Sequence, residues 1–469
     1  MKLLARRITS TKIVIGAVAM IVLVTSTLLS SSTMSAVAAG GDSWTEYHAN
    51  PAGTGVASGV SAVVTSKRFW TSRPLSGQLY GEPLEFNNMV FIATENDVVY
   101  ALSSSTGRVV WSRHVASSVP STRLPCGDIS PQVGITGTPA IDPTRNEIFL
   151  VADELVNGSV EHRLVGLNVT SGAVELNQDV DPPGADPTAL LQRTGIALDG
   201  SNVVFAMGGN YGDCATYRGR VESVAVTGSK PKIFTVDAKS GQSQGAIWMG
   251  GAAPVINAKG DVWVSVGNGS AHSSGQAYDF SDSALELSVN MGLIQYFAPS
   301  NWADNNAQDL DMSTAPVLLS DGQVVLAGKS RIVYLLNGSH LGGIGHEETS
   351  LASGCSEDID GASVAVGLVV FLPCLAGTQA VRVGTSPASL NLLWQSSNAG
   401  GPPIYAAGLV WSIGANGVLY GLSPSTGAIR QQAQVGTAAN HFPTPSVGDG
   451  LLAVTSTDQV VAFRATAAR

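Results

Sequence analysis

Charge is what this 469-residue chain has least of: Asp, Glu, Lys and Arg make up 13% of it, where soluble domains average about 25%. With 44% of its residues hydrophobic, the chain is not a disordered one, which needs the opposite balance. Cysteine is scarce as well. Four in this length exclude a small disulfide scaffold. No two of them are close enough in sequence for a zinc site. There is no His-Glu-x-x-His, no phosphate loop and no Cys-x-x-Cys-His haem attachment. Basic clusters are missing too, so nothing supports a nucleic-acid partner, whose phosphates are held by Lys and Arg.

Long apolar runs are absent but for one. Residues 1–40 hold Lys2, Arg6, Arg7 and Lys12 and no acid, followed by an apolar run from Ile13 to Val24. Small residues close it at Ala36-Val37-Ala38-Ala39. That order is a signal peptide over residues 1–39. A retained anchor is the alternative, because the run approaches the length of a membrane span. Cleavage removes four of the 25 basic residues and no acid, so the net charge moves from −10 to −14. The mature chain is expected to carry no membrane span, to be monomeric, and to be secreted or held in the cell envelope. Paired cysteines are oxidised there.

What the chain has in abundance is repetition. Val98-Val-Tyr-Ala-Leu-Ser-Ser-Ser-Thr-Gly107 nearly coincides with Val418-Leu-Tyr-Gly-Leu-Ser-Pro-Ser-Thr-Gly427, and Arg163–Gly172 is a looser copy. Each alternates apolar with small or polar residues and ends in Ser/Thr-Gly, the pattern of a strand entering a hairpin turn. The strand after the turn often carries a tryptophan (Trp111, Trp248, Trp394), as does the early stretch at Trp70. Upstream of each copy lies a short marker of small residues. The eight markers are 81–83, 137–139, 194–196, 252–254, 314–316, 361–363, 401–403 and 443–445. They divide the chain into units of about 49 residues, the size of a four-stranded propeller blade. The last unit lacks its outer strand, and residues 64–72 have no partner of their own. The fold class expected is therefore all-β: an eight-bladed β-propeller of four-stranded antiparallel blades over residues 64–469. The strand at about 64–72 closes the ring, and residues 40–63 form an N-terminal extension.

These repeats, of the form Val-Tyr-Ala-Leu-x-x-x-Thr-Gly-x-Val-x-Trp, resemble pyrroloquinoline-quinone (PQQ) type propeller repeats. The stretches Cys126–Ala140, Val264–Gly269 and Asp309–Pro316 resemble the secreted bacterial PQQ-like propellers in particular. The resemblance covers nearly all of residues 64–469. It implies the propeller fold and, among the family's enzymes, a quinone-dependent dehydrogenase of alcohols or sugars. Those enzymes use adjacent cysteines over the quinone, and a calcium set of Glu, Asn and Asp beside a catalytic Asp. PQQ and Ca²⁺ are the cofactors implied by the resemblance alone. In this chain no two cysteines are adjacent.

The long segments fall where successive blades join (116–134, 181–193, 299–313, 349–360) and between second and third strands (152–162, 209–220, 267–283). In a propeller those connections share one face, and elaboration of one face builds a binding surface. Cys126, Cys214, Cys355 and Cys374 all fall on it. Of their three pairings, Cys126–Cys214 with Cys355–Cys374 joins loops without crossing the ring. Scarce charges just before inner strands ring the channel mouth: Arg193, Asp309, Asp311, Asp358, Asp360 and His441. His272 lies in a loop on the same face. Such a set can bind a cation or polyol or do acid–base work, with calcium at Asp309, Asp311, Asp358 and Asp360. Alternatively the Asp side chains cap turns. Asn157, Asn268 and Asn337 fit both glycosylation acceptors and turns. The function expected is a secreted, non-catalytic propeller whose looped face binds a protein, glycan or small-molecule ligand. The alternatives are a quinoprotein oxidoreductase and an envelope-assembly scaffold.

Overall fold

The computed structural model describes residues 43–238, 241–438 and 442–468. The leader expected over residues 1–39, and His441, lie outside the described residues. Eight antiparallel four-stranded blades follow one another around a ring. Their inner strands are Leu84–Phe86, Ala140–Asp142, Ala197–Leu198, Val255–Ile256, Val317–Leu318, Val364–Val366, Ile404–Ala406 and Ser446–Gly448. Every small-residue marker read from the sequence ends just before an inner strand. Small side chains there let eight strand starts converge, and proline fits where no ladder donor is needed. Among the described residues there is one short α-helix, Trp302–Ala307. No helix is long and apolar enough to cross a membrane.

The inner strand of most blades begins opposite a large side chain on the second. Leu84 faces Phe91, Ala140 faces Phe149, Val255 faces Trp263, Val364 faces Phe371 and Ile404 faces Trp411. All five aromatics are buried, and fully burying a side chain of that size contributes roughly 1.5–3 kcal/mol. A second repeated contact docks three of the blades on their neighbours. Trp70, Trp111 and Trp394 lie flat on Gly107, Gly172 and Gly427, where an added Cβ would stand 2.5–2.6 Å from the ring. Each indole N–H donates to the carbonyl of the same turn, at Ser104 O (2.7 Å), Val169 O (2.9 Å) and Pro424 O (3.0 Å). The recurring Thr-Gly and Trp are thus two halves of one inter-blade joint.

The last blade takes its outer strand from the other end of the chain, as expected, but in two pieces. Val60–Val64 and Trp70–Thr71 both pair antiparallel with Gln459–Ala467. Between them the chain leaves the ladder: Thr65 Oγ1 donates to Gln431 Oε1 of the neighbouring blade at 2.9 Å.

Residues 44–57, read from sequence as part of an extension, cross the channel. Trp44 exchanges two backbone bonds with Glu85 (2.7 and 2.9 Å), and Thr45 O accepts from Ile141 N (2.8 Å). Glu46 accepts from Leu198 N, Pro51 O from Ile256 N and Gly55 O from Tyr405 N. Val56–Ala57 then runs parallel to Tyr405–Ala406, and Tyr47 Oη reaches Thr444 Oγ1 at 3.2 Å. The segment also lines a cavity of about 10 Å³ with Ala315 and Ala362 of blades five and six, room for about one water molecule. Inner strands have one ladder edge turned to the channel, and these bonds satisfy it.

Candidate functional site

Turns joining first to second strands are two to five residues long, as at Phe86/Met89 and Ile256/Val262. Most of the long connections leave the opposite face, where the inner strands begin. Blade five departs from the expectation, because Thr349–Ala352 is its outer strand rather than part of a connection, and residues 338–348, joining its third and fourth strands, lie on the face of the short turns. Both expected disulfides, Cys126–Cys214 and Cys355–Cys374, form on the side where the inner strands begin, and no described cysteine is free.

Of the acids expected at the mouth, Asp309, Asp311 and Asp360 gather around a residue that sequence reasoning missed, Lys329. Its Nζ lies 2.5 Å from Asp311 Oδ2 and 3.2 Å from Asp309 Oδ2. Burial works against the ammonium charge, but Asp311 and Asp309 outweigh it and hold the Lys329 pKa above its ordinary value. Burial raises the Asp360 pKa to about 6, against the opposing pull of Ser313 and the same lysine. Asn268 links the group to blade three. Its N–H donates to Asp311 Oδ1 at 2.6 Å, and its Nδ2 donates to Asp213 Oδ2 and Asp309 Oδ1, each at 3.3 Å. Tyr217 Oη donates to Asp213 Oδ1 at 2.5 Å. Trp248, half-buried against Gly208 and Gly267, completes this side of the mouth.

Arg193 stands apart. It lies on Gly251, with its guanidinium carbon 5.9 Å from the Tyr80 ring and 6.0 Å from the Phe442 ring, a cation held between two aromatic faces. Tyr47 below it and Glu95 and Asp128 beside it share its field. Glu95 is buried; its Oε2 accepts from Gly134 N and Thr136 Oγ1, and burial raises its pKa to about 8. Asp358 lies at the edge of the Lys329 group: its charge acts on Asp360, and its carbonyl accepts from Leu375 N in the loop stapled by Cys355–Cys374. His272 is exposed, and its N–H donates to Gln276 Oε1.

A third set, also missed, lies beneath the loops of blades two and three. His162 is wholly buried, with Nδ1 2.8 Å from Asp181 Oδ1 and Nε2 3.6 Å from Asp153 Oδ1. Arg220 Nη2 pairs with Asp181 at 2.9 Å, and Arg220 Nε with Glu222. Burial alone would lower the His162 pKa; the two carboxylates outweigh it and raise it to about 9. Asp181 begins the connection that ends at Arg193, so this network anchors the loop presenting that cation. None of these residues adjoins a small-residue marker, so only their spacing in three dimensions reveals them. The sequence also holds one Gly-x-Ser-x-Gly stretch, at 241–245. Its Ser243 lies in irregular backbone just before the bridge residue Gln244, with its N–H donating to Ser270 Oγ, and not at a strand-to-helix elbow.

The nearest thing to a calcium set of Glu, Asn and Asp beside a further Asp is Asp213, Asn268, Asp309 and Asp311. It does not fit calcium. Every carboxylate oxygen of the three acids already meets a donor of this chain, and the amide of Asn268 turns its NH₂ towards two of them. A divalent ion would also meet the Lys329 ammonium head-on. The disulfides span 88 and 19 residues, so no ring of adjacent cysteines covers the mouth.

Residues 30–270 match the family model PQQ_2, described as outer membrane protein assembly factor BamB. No curated protein matches the chain. Among solved structures, quinohemoprotein alcohol dehydrogenase ADHIIG from Pseudomonas putida HK5 superposes with a TM-score of 0.66 at 11% identity, over 91% of this chain and 80% of that one. Quinohemoprotein alcohol dehydrogenase from Comamonas testosteroni gives 0.65 at 13%, over 90% and 80%. BamB from Moraxella catarrhalis gives 0.57 at 13%, over 86% of this chain and all of that one. At these identities the likeness is one of fold.

Proposed function

The chain belongs to the PQQ_2 family, and from that premise we propose that it is a non-catalytic binding propeller, acting outside the cytoplasm as a monomer through its looped face. The observation that carries this reading is the asymmetry of the ring. Most of the long connections and both disulfides stand on one face, the link over residues 338–348 of blade five excepted, while residues 44–57 fill the channel beneath it. A ligand therefore meets a floored cup rather than a pore, lined by Arg193 on one side and the Lys329 group on the other. That group supports binding, because Asp213, Asp309 and Asp311 are engaged by internal donors.

A protein partner is the favoured ligand, on the strength of the family's description. An envelope-assembly scaffold is accordingly the second reading, supported by the match over residues 30–270. The quinoprotein reading draws on the two dehydrogenase superpositions, but Lys329 stands against it.

The test places photo-crosslinkers at Tyr211, 72% exposed on the looped face, and at Asn88, in a turn of the opposite face. Adducts with envelope proteins are expected from Tyr211 and not from Asn88; the reverse pattern would overturn the reading. Purified protein is also supplied with PQQ and Ca²⁺ and assayed for dye reduction with alcohols and sugars. Turnover there would overturn the non-catalytic assignment.

A further inference from the structure

We propose that Lys329 is a built-in cation that takes the place of a metal ion at the channel mouth and makes the site independent of calcium. This goes beyond the binding reading and rests on geometry. Asp213 comes from the long loop of blade three, and Asp309 and Asp311 from the connection that leads into blade five. Asp311 is wholly buried and Asp309 is 66% exposed at the side chain. Like charges so close repel by several kcal/mol unless a cation intervenes. Among the described residues, the ion pairs at Asp309 and Asp311 are both with Lys329.

The ammonium has a fixed stem and needs no site of defined coordination number, whereas calcium requires six to eight oxygens. The remaining pieces are arranged for a donor-rich, metal-free network. Asn268 gives both amide hydrogens to carboxylates, Tyr217 gives its hydroxyl hydrogen to Asp213, and the buried Asn268 Oδ1 is left without a partner. In a calcium site that carbonyl would face the ion. Removing the ammonium while keeping the volume should therefore create what the wild type lacks. Three carboxylates and an amide oxygen would be left without a central charge, a hard oxygen set suited to calcium.

The experiment compares the mature wild type with K329M, K329R and K329M/D311N, reading thermal midpoints in excess calcium and in chelator, and calcium uptake by equilibrium dialysis. The wild type and K329R are expected to have the same midpoint in both solutions. K329M should be destabilised in chelator and recover in calcium but not in potassium of equal ionic strength, with a calcium affinity at least about ten-fold above wild type. K329M/D311N should lose that response. A calcium-dependent rise in the wild-type midpoint, or tight uptake of one calcium per wild-type chain, would overturn the proposal. So would a folded K329M that ignores calcium. Should K329M not fold, the wild-type measurement decides by itself. None of these outcomes depends on which face the crosslinkers mark, so failure here and failure of the binding reading are separable.

Discussion

Replacing His162 with glutamine should remove a pH-dependent part of the protein's stability whose size and sign follow from its surroundings. His162 is wholly buried between Asp153 and Asp181, and its pKa rises from 6.5 to about 9. At 1.36 kcal/mol per unit, that shift corresponds to about 3 kcal/mol. Because the folded pKa lies above the unfolded one, the contribution is fully present below pH 6.5 and is lost as pH rises through about 9. Burial works against the Asp181 charge, but His162 and Arg220 outweigh it and lower its pKa to about 2, so it stays ionised throughout that window. Glutamine can still donate to Asp181 but brings no charge, so Arg220 alone is left to pair with Asp181 and Glu222, and Asp153, whose pKa burial raises to about 6, loses the His162 charge that lowers it. Urea unfolding of wild type and H162Q at pH 6 and pH 10 measures the effect. The variant should be less stable by about 3 kcal/mol at pH 6, and the gap should shrink towards zero at pH 10. Glu46 and Glu95, raised by burial from 4.5 to about 8, add a slope of their own. Both hold their protons more tightly when folded, so both proteins lose stability as pH rises from 4.5 through about 8. The difference between the two proteins cancels that common slope. Equal differences at both pH values would refute the charged-histidine account.

The inter-blade joint predicts that Gly172→Ala, at φ 66° with an added Cβ 2.6 Å from the Trp111 ring, costs roughly 2–4 kcal/mol from backbone strain and overpacking together. Gly184→Ala, at φ 84° but with nothing near, should cost only about 1–2 kcal/mol, and equal urea midpoints for the two variants would contradict the joint. Trp44→Ala empties a buried site in the channel floor and strips Glu82 Oε1 of its 3.1 Å indole donor. It should lower stability by about 3–5 kcal/mol and expose residues 44–57 to limited proteolysis, whereas unchanged cleavage kinetics would show that the segment is not clamped.

Much of the ring is legible in the amino-acid sequence, because a repeat writes its blade geometry into local pattern. Markers such as Gly137-Thr-Pro139 locate inner strands, and the Thr-Gly turns with a following Trp record a contact between neighbouring blades. The candidate site is legible only in part. Asp309 and Asp311 stand out in a chain so poor in charge, and both prove central. Lys329 does not stand out, since it follows the second strand of its blade and meets them only once that strand has turned back beside the first. His162 and Asp153 look like ordinary alternations along two strands, and only their antiparallel register makes them face each other across a hairpin.

The sequence by itself determines the number of blades, the turn chemistry and the face that carries most of the loops, for these depend on residues near one another in the chain. It also determines the closure of the ring, because a last unit one strand short and an unpartnered early strand complete each other. Tertiary structure decides the rest. It alone places residues 44–57 across the channel, where the unpaired edges of inner strands from widely separated parts of the chain need hydrogen-bond partners. It also decides that the scarce acids at the mouth meet a lysine, because a buried charge takes its partner from whatever the fold brings within a few ångströms, and no local pattern records that choice.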